Sequence, residues 1–262
     1  MASISTEYPL IADGAEWERL DAMHNGIANY LDHKLSPADL GQPRKILEIG
    51  SGSGAWAFQA AEAYPDADVL AIDINPLPPR PLPSNVRFER IDIMDPFPFS
   101  AGSFDVVHAR MVLCHLTRGI TALPRIIDLV APGGWLLIDE VDFRHETARV
   151  ENAPGVKGGF TGVVTSMKSH QGDPHFGKIL RAALERSNAF SEININLVDV
   201  PMNPTAEVRL KDPALEGLSK TMPGGLTREV QQAFIAEMGA EVGGDWSYSV
   251  DMYFSWARKR IV

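Results

Sequence analysis

The central part of the chain alternates between short apolar runs and stretches whose apolar residues recur at helix spacing. Runs typical of buried strands occupy residues 45–49, 68–72, 85–91, 104–109 and 135–139, and helix-spaced stretches occupy 54–63 and 117–130. Strands that alternate with helices are typical of a parallel sheet covered by helices on both faces. The pattern therefore predicts an α/β fold with a doubly wound sheet.

The flanking parts show the same two kinds of pattern less regularly. Near the N-terminal end, Trp17, Leu20, Met23 and Ile27 recur at helix spacing and predict an amphipathic helix. Beyond residue 141, the glycines of 151–173 predict a mobile connection with some helix. Further helices are predicted at 176–187, 205–222 and 227–238, and strands at 193–202 and 247–258.

Together these elements fit a seven-stranded, mostly parallel sheet of order 3-2-1-4-5-7-6. Its last strand is antiparallel and lies between the fifth and the sixth. We predict a single domain over residues 1–262. Within it, N-terminal helices (1–40) and helical insertions form a lid, residues 44–142 form a cofactor-binding core, and 143–262 supply the substrate-pocket insertions and terminal strands.

One crossover of the predicted sheet cannot contain a helix. Residues 75–83 between the second and third strands are rich in proline. Proline lacks the backbone N–H and restricts φ, so this segment is predicted to be extended. It either passes over a bound ligand or forms a stiff surface loop.

A glycine-rich turn follows the first predicted strand and opens a helix. Such a turn lets a ligand approach the backbone closely. The spacing Gly50-x-Gly52-x-x-Ala55 also fits the loose fingerprint for NAD or FAD, and a tight turn without any ligand is a third interpretation. The turn alone leaves these alternatives open.

Acidic residues at the ends of three successive strands distinguish the alternatives. Glu48 stands where dinucleotide sites more often have an apolar residue, and it can orient an ammonium group. Asp73 can accept hydrogen bonds from both hydroxyls of a ribose. Asp92 can accept from an adenine amine while Ile93 packs on the ring; its alternative role is that of a turn residue.

The chain resembles the class I S-adenosylmethionine-dependent methyltransferases over residues 44–142. The resemblance rests on Asp73 and Asp92 and on the stretches ILEIGSGSG (46–54), FDVV (104–107) and LVAPGGW (129–135). Within that class it is similar to the fungal LaeA-like small-molecule methyltransferases. That similarity is carried by ERLDxxH (18–24), GAWA (54–57), LPSNVxF (82–88), HAR (108–110) and GGW (133–135).

The resemblance implies a cofactor, S-adenosylmethionine, and a place for each of its parts. The methionine part is expected over Gly50, Ser51 and Gly52, and the sulfonium beside Ala109 and Arg110. The ribose is expected at Asp73 and Ile74, and the adenine at Asp92 and Ile93. The N-terminal helix is expected to close over the cofactor with Trp17, Arg19 or His24 near it, and Trp17 is predicted to touch the substrate.

Side chains beyond the fourth and fifth strands are candidates for the chemistry. His115 is the predicted general base, because an imidazole with an ordinary pKa of about 6.5 can accept a proton at neutral pH; its alternative is a packed histidine. His108 is predicted to be structural, and Arg110 is either a ligand contact or an exposed rim cation. Glu140 is predicted to bind the substrate, and we predict no metal.

Charge and composition restrict the class of partner. The formal net charge is −10, which opposes the binding of nucleic acids and of anionic membrane surfaces. No apolar run of transmembrane length and no secretory signal pattern are present. The single cysteine, Cys114, is predicted to be a small buried hydrophobic residue in a reducing compartment. We therefore expect a cytoplasmic enzyme with a small-molecule acceptor.

Two other functions stay open on the sequence. The LaeA resemblance allows a regulatory methyltransferase-fold protein that acts through a partner and has weak activity. The glycine turn allows a nucleotide-cofactor oxidoreductase.

Overall fold

The computed structural model describes residues 14–143, 148–202, 229, 232–233, 236–237 and 246–261. The helices are α1 (Gly14–Tyr30), α2 (Ala55–Ala63), α3 (Leu123–Leu129), α4 (Pro154–Ser169) and α5 (Phe176–Ser187). The strands are β1 (Lys45–Ile49), β2 (Asp68–Asp73), β3 (Val86–Arg90), β4 (Phe104–Arg110), β5 (Val130–Phe143), β6 (Phe190–Pro201) and β7 (Ser249–Lys259). Short 3-10 helices occupy Leu113–His115 and Gly119–Thr121.

The strands form one sheet of order β3-β2-β1-β4-β5-β7-β6, which confirms the predicted topology. β1 pairs in parallel with β2 and β4, while β7 pairs antiparallel with both β5 and β6. Parallel strands need crossover connections; α2 supplies the one between β1 and β2, and α3 lies in the one between β4 and β5. The carboxyl ends of β1 to β5 therefore meet at one edge of the sheet.

Each central strand buries side chains on both faces of the sheet. Ile46 packs with Trp56 of α2 on one face, whereas Leu47 and Ile49 join the larger core on the other face. That larger core also contains the buried side chains Ile126 of α3, Phe160 of α4 and Leu180 of α5. Burial on both faces explains why these strands read as continuous apolar runs rather than as alternating ones.

β5 extends further than its parallel neighbour. Arg110, the last residue of β4, pairs with Asp139. Among the described residues, the last four residues of β5 therefore pair only with β7. The segment from Glu140 to Phe143 therefore projects beyond β4 at the carboxyl edge. This projection places Glu140 beside the 3-10 helix that follows β4 and Asp142 beside the start of α5.

Two predicted elements differ from the observed ones. The helix predicted at 117–130 is a 3-10 turn followed by the short α3, because Arg118 has a φ of 55° and Pro124 stands in the first turn of α3. Residues 151–173, predicted as a mobile connection with some helix, contain the 16-residue α4. Most of the helices predicted at 205–222 and 227–238 lie outside the described residues.

Tertiary contacts explain why α4 forms despite its glycines. Phe160, Val163 and Met167 are buried on one side of it, and burial overrides the low helix propensity of glycine. The carboxylate of Glu237 accepts hydrogen bonds from the N–H groups of Gly155 (2.9 Å) and Val156 (2.7 Å) in the first turn. A capping group 81 residues away is not visible in the local sequence.

The contact between α5 and β7 gives a test of this packing. A Cβ atom added to Gly177 would lie 2.3 Å from Cδ2 of Tyr253. We expect Gly177→Ala to destabilise the protein by about 1–2 kcal/mol, because overpacking outweighs the gain in helix propensity. Urea unfolding measures the change. In a Tyr253→Ala background the same substitution should be neutral or stabilising; an equal loss in both backgrounds would contradict the packing explanation.

Candidate active site

The glycine-rich turn lies between β1 and α2 with its backbone tied to β2. The N–H of Ser51 donates to the carbonyl oxygen of Ile72 (3.0 Å), and the N–H of Gly52 donates to Oδ2 of Asp73 (2.8 Å). Gly50 and Gly52 have φ angles of 65° and 55°, which L side chains rarely adopt. The turn therefore needs glycine at both positions for conformational reasons alone.

Side chains from two other segments close in on the same turn. A Cβ atom at Gly50 would lie 2.3 Å from Cγ2 of Val112, and one at Gly52 would lie 3.0 Å from Cδ1 of Leu20 in α1. The turn over residues 50–54 thus has no room for side chains on its own glycines, and we call this tight turn the cradle. The hydroxyl of Ser51 is buried here and has no hydrogen-bond partner within the described part of the chain. A buried polar group of this kind indicates a place for a polar ligand.

The acidic residues at the ends of β2 and β3 accept hydrogen bonds from backbone N–H groups two residues further on. Oδ1 of Asp73 accepts from the N–H of Asn75 (2.8 Å), and burial raises the pKa of this carboxyl above its usual value. Ile74, the next residue, is half-buried. Oδ1 of Asp92 accepts from the N–H of Met94 (2.8 Å), which is the turn role named as its alternative. Ile93 is buried.

A buried polar row lies on the sheet face beneath α1 and α2. Oε2 of Glu48 accepts from the N–H of Ala57 in α2 (3.0 Å), and its Oε1 lies 3.9 Å from Nδ1 of His108. The His108 ring stacks on Trp56 with centroids 3.8 Å apart. Burial raises the pKa of Glu48 to about 8 and lowers that of His108 to about 4. Burial thus favours the neutral form of both side chains.

Arg110 continues this row toward α1. Its Nε donates to Oδ2 of Asp139 (3.0 Å), and its Nη1 lies 3.3 Å from Nδ1 of His24 in α1. Its side chain is 9% exposed, so Arg110 is not the exposed rim cation considered from the sequence. Burial and then the Arg110 charge lower the pKa of His24 to about 4. Ala109, the preceding residue, is buried between β1 and β5.

On the opposite face, Glu140 anchors the 3-10 helix after β4. The carboxylate is fully buried, and its Oε1 accepts from the N–H groups of Leu113 (2.8 Å) and Cys114 (3.4 Å). Burial raises the pKa of Glu140 to about 7. In the same 3-10 helix, burial and then the nearby charge of Arg19 lower the pKa of His115 to about 4. Cys114 is buried, as expected.

The structure also brings together an acid–histidine pair that the sequence did not reveal. Nδ1 of His175 lies 2.5 Å from Oδ1 of Asp142, and Nζ of Lys178 lies 3.0 Å from Oδ2. The Asp142 side chain is fully buried, whereas that of His175 is 32% exposed. The N–H of Asp173 donates to the carbonyl oxygen of Cys114, so this segment packs against the 3-10 helix that carries His115.

The remaining predictions concern Trp17, a metal site and a membrane-spanning helix. Trp17 is half-buried on α1, the helix that also places Leu20 on the glycine turn. Among the described residues, no group of three or more His, Cys, Asp or Glu side chains could hold a metal ion. Within the same part of the chain, no helix has the length and apolarity needed to cross a membrane.

This geometry defines a doubly wound α/β protein with a glycine turn, an unpartnered buried hydroxyl and several acidic side chains at the carboxyl edge of its sheet in the described structure. A family model described as a methyltransferase domain matches residues 22–163. The chain is 60% identical to methyltransferase str3 of Strobilurus tenacellus, over 98% of both chains. It is 54% identical to methyltransferase str2 of the same fungus, over 97% of this chain and 96% of the relative.

More distant similarities concern part of the sequence or the fold alone. The secondary metabolism regulator laeA of Coprinopsis cinerea is 30% identical over 52% of this chain and 36% of its own. Phosphoethanolamine N-methyltransferase 2 of Haemonchus contortus, solved with S-adenosyl-L-methionine, covers 90% of this chain and 52% of its own with a TM-score of 0.53 at 17% identity. The YcgJ protein of Bacillus subtilis covers 90% of this chain and 99% of its own with a TM-score of 0.54 at 14% identity.

The chain belongs to the methyltransferase domain family. It is an S-adenosylmethionine-dependent methyltransferase, as its resemblance to class I enzymes implied, and the oxidoreductase alternative is wrong. The residues of the cradle fit this cofactor. The turn leaves no room for side chains of its own, the Ser51 hydroxyl is unpartnered in the described structure, and Asp73 presents a carboxylate beside the turn.

The raised pKa of Glu48 gives a test of the buried row. A carboxyl whose pKa is raised from 4.5 to about 8 on folding leaves stability intact below pH 4.5, and stability is then lost progressively as the pH rises to about 8. Glutamine cannot ionise and can still accept from Ala57. We expect the free energy of unfolding of Glu48→Gln to rise relative to that of the wild type by a few kcal/mol between pH 4.5 and pH 8, as measured by urea unfolding without cofactor.

A matched control is Glu89→Gln on β3, where the side chain is exposed and paired with Arg87. It should show the pH dependence of the wild type. Parallel stability curves for the wild type and Glu48→Gln would show that Glu48 is not protonated in the folded protein.

Proposed function

We propose that the protein transfers a methyl group from S-adenosylmethionine to a small-molecule acceptor, a specialised metabolite. The proposal rests chiefly on the cradle at the glycine turn, which fits the donor. The similarity to two fungal methyltransferases over nearly the whole chain supports it. The net charge of −10 favours a small acceptor over a polyanion.

The residues of the cradle have distinct roles in this proposal. Gly50, Ser51 and Gly52 receive the methionine part against bare backbone, with the Ser51 hydroxyl as a polar contact. Asp73 accepts from the ribose hydroxyls, with Ile74 packed beside them. Asp92 and Ile93 enclose the adenine. Ala109 and Arg110 border the sulfonium side, and Glu48 orients the ammonium group, with its own position fixed from α2 through Ala57.

When bound, S-adenosylmethionine supplies an electrophilic methyl group that an acceptor atom attacks in line. The protein contributes mainly alignment, which is worth roughly 7–11 kcal/mol in well-oriented systems. The acceptor is proposed to lie beyond the ends of β4 and β5, bordered by Glu140 and by Trp17 of the lid helix. A protic acceptor must also lose its proton to a base on this side.

Two histidines on the acceptor side can take that proton. His115, the base predicted from the sequence, is neutral at pH 7, but the charge of Arg19 disfavours its protonated form. His175 is held through Nδ1 by the buried Asp142, which orients the ring and leaves Nε2 as the nitrogen that can accept a proton. The surroundings of His175 thus suit a general base better.

The first experiment combines labelled cofactor with fungal metabolite extracts. Incubation of the protein with S-adenosylmethionine carrying a labelled methyl group, followed by mass spectrometry, should give a labelled small molecule. Cofactor binding without any labelled small molecule would favour the regulatory alternative, which the partial similarity to laeA supports. Label on protein or nucleic acid would contradict the small-molecule acceptor.

Asp73→Ala tests the ribose contact. Loss of a charged acceptor should weaken the binding of S-adenosylhomocysteine by about 1.5–3 kcal/mol, as measured by calorimetry. Asp68→Ala, at the other end of β2, is the matched control and should leave the affinity unchanged, because Asp68 pairs with Arg87 at the surface. Unchanged affinity in Asp73→Ala would remove this residue from the cofactor site.

A comparison of His115→Ala and His175→Gln tests the base. The variant that lacks the base should lose about 10²–10⁴-fold in kcat toward the labelled acceptor. Its affinity for S-adenosylhomocysteine should be preserved. His170→Gln, on an exposed histidine beyond α4, is the control. Normal turnover in either variant would discard that histidine, and normal turnover in both would place proton removal elsewhere.

A further inference from the structure

The proline-rich crossover between β2 and β3 holds the lid helix against the glycine turn. Its single arginine, Arg80, donates from Nη1 to Oδ2 of Asp21 in α1 (2.8 Å) and from Nη2 to Oδ1 (3.2 Å). Nη2 also donates to the carbonyl oxygen of Ser53 in the turn (2.5 Å). The guanidinium lies 4.8 Å from the ring centroid of Phe58 in α2. One side chain thus touches the lid, the turn and the helix that follows it.

The crossover is built to hold this arginine in place. The segment predicted to be extended bends at Pro79 and Arg80, where the N–H of Arg80 donates to the carbonyl oxygen of Pro78 (2.7 Å). Prolines before and after Arg80 restrict φ, so little conformational freedom is lost when the arginine docks. Leu77 of the same segment packs on the turn, with Cδ2 3.0 Å from the position of a Cβ on Gly54. The segment is therefore more than the stiff surface loop considered from the sequence. It packs directly against the cradle through Leu77 and Arg80.

The two halves of α1 are held in different ways. In the second half, Ile27 is buried in the main core and Tyr30 stacks on Phe254 with centroids 5.5 Å apart. The first half carries Leu20, which covers Gly52, and Asp21, which binds Arg80. The second half is anchored by apolar burial, whereas the first half is anchored by a charged pair at the cofactor cradle. Opening the first half therefore requires separation of Arg80 from Asp21.

We propose that Arg80 is a positioning residue that keeps α1 closed over the glycine turn and so sets how long the nucleoside cofactor stays bound. The pair is only 33% exposed on either side, so solvent weakens it less than a surface pair. Its bidentate geometry fixes the direction of the contact as well as its strength. The proposed device concerns the cofactor and is independent of the acceptor.

The test measures the release of S-adenosylhomocysteine. Stopped-flow displacement by S-adenosylmethionine, or tryptophan fluorescence from Trp17 on α1, gives the dissociation rate. We expect Arg80→Gln and Asp21→Asn each to speed dissociation about tenfold, which is the loss of one charge-assisted contact. The double variant should be no faster than either single one, because both remove the same contact. Arg80→Lys should recover part of the effect.

The chain offers a matched control in Arg87, which forms a bidentate pair with Asp68 at the start of β2. That pair is 57% and 48% exposed and lies away from the lid. Arg87→Gln should leave the dissociation rate unchanged, and the melting temperature of each variant without ligand reports any general loss of stability. Dissociation within twofold of the wild type in both Arg80→Gln and Asp21→Asn, or additive effects in the double variant, would overturn the proposal.

Discussion

The close approach of the backbone at the glycine-rich turn is the constraint on which the rest of the site depends. The turn joins β1 to α2, is hydrogen-bonded to the end of β2 and lies directly beneath side chains of α1 and of the segment after β4. Since Gly50 has a positive φ and no room for a Cβ atom, this arrangement admits only glycine there. Because these glycines carry no side chains, α1 and the segment after β4 can lie directly against the turn.

Burial of polar groups shapes both sides of the sheet around that turn. Beneath the lid, desolvation favours neutral Glu48 and neutral His108, so they share a buried row with the charged pair of Arg110 and Asp139. On the other face, burial raises the pKa of Glu140 to about 7, and its carboxyl accepts from the N–H groups of the 3-10 helix that follows β4. Neutralisation and pairing let acids stand at the strand ends without a large electrostatic cost.

The cofactor half and the acceptor half of the site were accessible to the sequence to different degrees. The glycine turn and the acids at or just beyond the ends of β1, β2 and β3 follow from local spacing, and the structure places them at the strand ends as expected; their roles toward the cofactor stay predictions. The proposed acceptor side depends on the projection of β5 and on the approach of the segment before α5. His175 and Asp142 are 33 residues apart, and no local pattern connects them. The same holds for Glu237, which caps α4 from a distant segment.

The sequence by itself determined the order of strands and helices, the position of the turn and the class of cofactor. It could do so because strand periodicity, glycine conformations and proline restrictions act within a few residues. Only the tertiary structure decided that Arg110 is buried, that α3 is short and α4 long, and that Arg80 meets Asp21 across 59 residues. These features depend on which surfaces meet when the sheet forms, and burial then sets the charge and the partners of each side chain.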